Sequence, residues 1–89
     1  SHYLYEKVLS IKGVEPALPE PFFNEFVIHT PRQAAEVLDK MRRKNVTGGL
    51  DLGRYFKDRE QEILVCVTEN RPKAQMDLYV ETLKEALAE

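Results

Sequence analysis

Gly48-Gly49-Leu50-Asp51-Leu52-Gly53-Arg54-Tyr55, a polar turn over 57–62, and the run Ile63-Leu64-Val65-Cys66-Val67-Thr68 decide the fold. In the first block Leu50 and Leu52 alternate with small or polar neighbours between glycines, the pattern of a short strand. The last block is continuously apolar and largely β-branched over strand length, which predicts a central strand buried on both faces. The link between the two strands is short, so they should pair antiparallel. Upstream, Phe22-Phe23-Asn24-Glu25-Phe26-Val27-Ile28-His29 is aromatic and β-branched and reads as a further strand. Its alternation sets Phe22, Asn24, Phe26 and Ile28 on one face and Phe23, Glu25, Val27 and His29 on the other.

Helical signals fill the spaces between these strands. Tyr3 to Lys12 carries Leu4, Val8 and Ile11 as a buried stripe, with Gly13 as a left-handed stop and Pro16 soon after. That helix has an end signal but no evident start beyond Ser1, the pattern either of a short N-terminal helix capped by Ser1 or, as favoured here, of a chain cut from a longer polypeptide inside a helix. Pro16, Pro19 and Pro21 mark a connector that is neither helix nor central strand. Thr30-Pro31-Arg32-Gln33 predicts a second helix opened by a capping box, with Ala34, Val37, Leu38 and Met41 facing the core. Its last turn holds Arg42, Arg43 and Lys44, where cations oppose the negative end of the helix dipole. Asn45 supplies a left-handed cap and Val46 folds back over the end. Asn70 or Arg71 caps a final helix with Pro72 near its first turn, and Met76, Tyr79, Val80, Leu83, Ala86 and Leu87 form its buried stripe. The order α-β-α-β-β-α predicts a small two-layer α+β sandwich. A mainly antiparallel three-stranded sheet should carry its helices on one face, with residues 1–89 forming a single domain.

Composition narrows the function classes. The chain has 89 residues, 31% charged and 43% hydrophobic, with one cysteine. A single thiol forbids an internal disulfide, and His2, His29 and Cys66 are too few for the usual four-ligand zinc site. No run of about 18 apolar residues occurs, so no membrane partner is expected. Thirteen basic residues against fifteen acidic ones give a net charge of −2, a poor basis for gripping phosphate backbones, so no nucleic-acid partner is expected either. The expectation is a cytoplasmic domain in a reducing compartment.

Candidate chemistry is sparse. His29 has no nucleophile nearby in sequence and reads as an exposed strand end. Cys66, between Val65 and Val67, reads as a buried, inert thiol. The glycines at 48, 49 and 53 lack the Lys-Ser/Thr that a phosphate loop requires and read as turn and close-packing positions. Asn24 and Glu25 are the polar exceptions in an apolar strand. They are placed either at a wet strand edge or beside a cleft where one of them meets a ligand.

Pro21-Phe22-Phe23-Asn24-Glu25-Phe26-Val27, then the 48–55 block, then Leu64-Val65-Cys66-Val67-Thr68-Glu69 together resemble one family. These residues are similar to the C-terminal end of subunit 1 of the two-subunit glycine cleavage system P-protein, glycine dehydrogenase (decarboxylating). The resemblance runs across essentially the whole chain, and the middle block is its most specific part. It implies the C-terminal small domain of a fold-type I pyridoxal-phosphate enzyme, which decarboxylates glycine and passes the aminomethyl group to the lipoylated H-protein. It implies too that pyridoxal phosphate is held by a lysine of the other subunit, and that none is bound by this fragment. Implied partners are the chain's own large domain, P-protein subunit 2 and the H-protein. The fragment is therefore expected to be structural and assembly-forming, inactive alone and without a catalytic residue of its own. Asn24 and, second, Arg54 are the candidate substrate- or cofactor-proximal residues. An apolar docking patch is expected on the Leu4, Val8 and Ile11 stripe or around Phe22 and Phe23. Two alternatives stand beside this reading. One is the small domain of another fold-type I enzyme. The other is a free-standing ferredoxin-like sensing or interaction module, which would open on a strand rather than a helix.

Overall fold

A computed structural model describes residues 2–17, 25–66 and 72–89. Helix α1 spans His2–Leu9, strand β1 Glu15–Pro16, β2 Glu25–His29, helix α2 Ala34–Arg42 and β3 Leu50–Asp51. A 3-10 turn at Leu52–Arg54, strand β4 at Glu62–Cys66 and helix α3 at Lys73–Ala88 complete the order. The sheet runs β1-β2-β4-β3 with every neighbouring pair antiparallel.

Pleating assigns the two faces. In the β2–β4 register Phe26 stands opposite Val65 and Ile28 opposite Ile63, and all four join the core. Leu4, Val8 and Ile11 from α1, Ala34, Val37 and Met41 from α2, and Tyr79, Leu83 and Ala86 from α3 pack onto that same face. Tyr5 meets Phe26 edge to face, with ring centroids 5.1 Å apart. Each fully buried aliphatic side chain contributes roughly 1.5–3 kcal/mol, which makes this shared face the main source of stability. The α+β sandwich with helices on one face is the architecture expected from the sequence.

Several local expectations need correction. The sheet gains a fourth strand, β1, inside the proline connector. It is a two-residue edge strand, a position where Pro16 is tolerated because an edge need not donate on both sides. The glycine-rich strand is cut to Leu50–Asp51, because the Asp51 carboxylate accepts the Gly53 N–H at 2.9 Å and caps a 3-10 turn instead of extending the strand. Strand β4 is buried on one face only: Ile63 and Val65 point into the core while Glu62, Leu64 and Cys66 point away from it. The stripe Leu4–Val8–Ile11 lies inside the core and offers no docking patch.

Helix ends show the same mixture. Gly13 takes φ +91°, beyond an α1 that already ends at Leu9. No capping box forms at α2. Gln33 is its N-cap with no side-chain bond, and the buried Thr30 hydroxyl instead donates to the Arg32 carbonyl at 2.7 Å. The N–H of the buried Ala34, which has no partner within the helix, donates to the Glu60 carbonyl at 2.7 Å and ties the helix start to the turn before β4. At the other end Asn45 adopts φ 63°, with Asn45 N–H donating to Arg42 O and Val46 N–H to Met41 O. Those paired bonds form the left-handed closure anticipated there. Asn70 and Arg71 lie outside the described residues, and Pro72 is the N-cap of α3.

Candidate functional site

The segment Val46–Leu50 leaves the C-terminus of α2 and enters the sheet edge, and its glycines answer to packing. A Cβ on Gly48 would come within 2.6 Å of Leu38 Cδ2 and 2.7 Å of Met41 Sδ. Gly49 holds φ +136°, and a Cβ there would collide with the Leu64 carbonyl. From the far side the buried Tyr79 hydroxyl donates to the Gly48 carbonyl. These four contacts pin the loop between α2, α3 and β4. The block most diagnostic by sequence is accounted for by close approach of chain to chain.

Openings lie on both sides of this pinned loop. The larger, about 680 Å³, sits beside β3, β4 and the first half of α3, with Leu50, Leu64, Cys66, Gln75 and Leu78 in its wall together with the core residues Leu4, Val65 and Tyr79. A smaller one of about 210 Å³ is lined by Leu38, Arg42, Asp51 and Arg54. Arg54 is exposed at the end of the 3-10 turn and makes no ion pair among the described residues, whereas Arg42 is bonded to Asp39 at 2.9 Å. The other candidate, Asn24, lies outside the described residues, as do Phe22 and Phe23.

His29 ends β2 half-exposed. Its Nδ1 stands 3.8 Å from Glu62 Oε2, while Arg59 holds the second oxygen of the same carboxylate at 2.6 Å. Among the described residues no three His, Cys, Asp or Glu side chains converge as a metal site would require. Cys66 is exposed, not buried, because alternation along β4 turns it away from the helices. It is nonetheless a weak nucleophile. Partial burial pushes its thiol above the ordinary value, and the Glu25 carboxylate, 3.7 Å from Sγ, raises it further.

A lysine that carries pyridoxal phosphate as an imine needs an apolar pocket that lowers its pKa. The described lysines do not fit that demand. None lines either opening beside the pinned loop. Lys44 is held on the charged side of its equilibrium by Glu85 at 2.8 Å and by Glu89, so its pKa rises. Residues that sequence reasoning passed over are Leu50, Leu64 and Leu78 as cleft walls and Tyr79 as the loop anchor. Leu78 had a usable signal, since it is a large apolar residue lying off the buried stripe of its helix.

No protein-family model matches the chain. Probable glycine dehydrogenase (decarboxylating) subunit 1 of Dictyoglomus turgidum is 40% identical over 88 residues, covering 98% of this chain and 19% of that protein. The protein of the same description from Chlorobium luteolum is 42% identical over 85 residues, covering 96% of this chain and 18% of the relative. Among solved structures, glycine decarboxylase (P-protein) of the glycine cleavage system, in inhibitor-bound form, superposes with a TM-score of 0.81 at 28% identity. That match covers 97% of this chain and 19% of the larger one. The chain thus spans about a fifth of the length of the curated relatives it matches.

Proposed function

We infer the role of this chain from its homology, over nearly its whole length, to a segment of glycine dehydrogenase (decarboxylating) subunit 1, a P-protein of glycine cleavage. In our reading residues 1–89 are the C-terminal small domain of such a subunit, a structural and assembly element of a glycine-decarboxylating enzyme. The observation that carries this is 40% identity over 88 residues, joined to a superposition that covers 97% of the chain.

In the full enzyme pyridoxal phosphate supplies the electron sink for loss of the glycine carboxylate, and in this reading its lysine belongs to subunit 2. The present chain contributes shape. Its pinned 46–50 loop and closed helical core give a rigid wall on which the large domain and subunit 2 assemble, with the lipoylated H-protein receiving the aminomethyl group elsewhere on the complex. Arg54, exposed and without an ion pair among the described residues, is suited to hold an anionic group, and Asn24 to bond a carboxylate or a backbone amide.

A chimera tests the proposal. Residues 1–89 replace the matching segment of the Dictyoglomus turgidum relative, which is then combined with subunit 2 and H-protein and assayed for release of carbon dioxide from glycine. Activity within about tenfold of the parent, equivalent to 1.4 kcal/mol in the barrier, is expected. A chimera that folds and pairs with subunit 2 yet releases no carbon dioxide overturns the reading. Within that active chimera, Asn24→Ala should raise KM for glycine, and unchanged turnover and KM would remove Asn24 from the site.

A further inference from the structure

The smaller opening beside the pinned loop brings together two arginines from separate elements, Arg42 at the end of α2 and Arg54 at the end of the 3-10 turn. Their recess holds about 210 Å³ and has Leu38 and Val46 among its walls. Its positive charge is not cancelled from within. Asp51 is the one carboxylate in the lining, and its Oδ1 already accepts the Gly53 N–H at 2.9 Å. Asp39 is divided, with Oδ1 2.9 Å from Arg42 and Oδ2 2.7 Å from Arg43. Arg54 makes no ion pair among the described residues. Arg42, Arg43 and Arg54 thus stand against Asp39 and Asp51, three charges against two, in a chain whose net charge is −2. A guanidinium has five N–H donors, so Arg42 keeps donors beyond its bond to Asp39. At the end of α2 the Arg42 and Met41 carbonyls, which would oppose an anion, already accept the Asn45 and Val46 N–H groups.

We propose that this recess binds an oxyanion, the carboxylate or phosphate group of a small molecule, between Arg42 and Arg54. Like charges held at one opening repel, and an anion between them turns that repulsion into attraction. Planar guanidinium forks suit the paired oxygens of either group. The apolar walls at Leu38 and Val46 thin the water that competes for those N–H donors. The volume lies below the roughly 300–1,000 Å³ of drug-sized sites, which limits the ligand to a small one. Arg42 is 76% exposed, so the grip is weak and sensitive to salt. The site widens the part given to Arg54 above into a two-arginine grip. It is formed by this chain alone, and so stands or falls apart from the reading of the chain as a decarboxylase domain.

Amide and arginine side-chain NMR signals of the 89-residue chain are followed while sodium phosphate or sodium acetate is raised to about 50 mM at constant ionic strength. Saturable shifts are expected at Arg42 and Arg54 and along Thr47–Asp51, with affinity at least about tenfold lower in Arg54→Gln and in Arg42→Gln. Both arginines are exposed, so the variants should fold, and unchanged signals away from the recess check that they do. Lys57→Gln, an equal loss of charge outside the recess, should leave the affinity within about twofold. Saturation by one salt alone upholds the site and assigns it to phosphate or to carboxylate groups, and saturation by both upholds it for either. Shifts that grow linearly with both salts, or an affinity that Lys57→Gln lowers as much as Arg54→Gln does, mean an adventitious ion only and overturn the proposal. The outcome is independent of the chimera's activity.

Discussion

At Gly49 the backbone stands at φ +136° with the Leu64 carbonyl directly beneath, so a methyl group is opposed by both torsion and contact. Gly49→Ala should lower stability by about 1–3 kcal/mol, read as a lower urea midpoint at unchanged slope. Tyr79→Phe removes the hydroxyl that donates to the Gly48 carbonyl and should cost about 1–2 kcal/mol by the same measurement. Thr82 offers a control. Its buried hydroxyl donates back to the Leu78 carbonyl within the same helix, and Thr82→Val should change the midpoint by no more than about 0.5 kcal/mol. Glycine and asparagine were the legible residues. Gly13 and Asn45 occupy the left-handed conformations anticipated for them, because few other side chains tolerate that region. Asp58 at φ 69° was not legible, since an aspartate in a polar turn has many conformations open to it.

At the scale of elements, α2 gathers half of the ion pairs among the described residues. Arg32, with Lys40 behind it, holds the Glu36 carboxyl below its ordinary value, and Arg42 with Arg43 does the same for Asp39. Carboxyls depressed in the folded chain lend stability above their unfolded pKa, and that support goes as pH falls through the depressed values. Amide exchange in α2 should therefore quicken on acidification below the ordinary carboxylate range more than exchange in β4 does. The exposure of these pairs keeps the effect small, and added salt should shrink it further. A pH-independent α2 would remove the ion pairs from its stability. Element existence was legible wherever apolar spacing was strong, as in α2 and α3. Strand extent was not, because two local bonds and one longer-range pairing decided it. Asp51 closed a 3-10 turn, Thr30 turned to Arg32, and β1 formed by pairing with Ile28 and His29 of β2. Asn24 could be chosen as an odd polar residue in an apolar run, but strand alternation alone carries no information on what such a residue faces.

For the whole molecule, stability of small domains is roughly 0.05–0.15 kcal/mol per residue, so a single large core deletion takes a substantial share. Leu83→Ala, at a fully buried site where α3 meets the shared core, should cost about 2–5 kcal/mol and leave much of the chain unfolded at 37 °C by circular dichroism. No described helix is long and apolar enough to cross a membrane. The layering was legible at this scale because each helix shows one apolar stripe and a sheet with helices on one face is the arrangement that buries them all. Of the two places named for an apolar docking patch, the Leu4, Val8 and Ile11 stripe is spent in the core, because a stripe read from sequence does not say which neighbour consumes it, and Phe22 and Phe23 lie outside the described residues.

Both borders of the sheet are two residues long, one carrying Pro16 and the other broken off by the Asp51 cap. Among the described residues neither presents a ladder of free amides long enough to recruit a strand from another molecule, which disfavours fibril growth from these margins. Self-assembly through these described borders is disfavoured, and the 89-residue chain should scatter as a dispersed species without binding amyloid dyes.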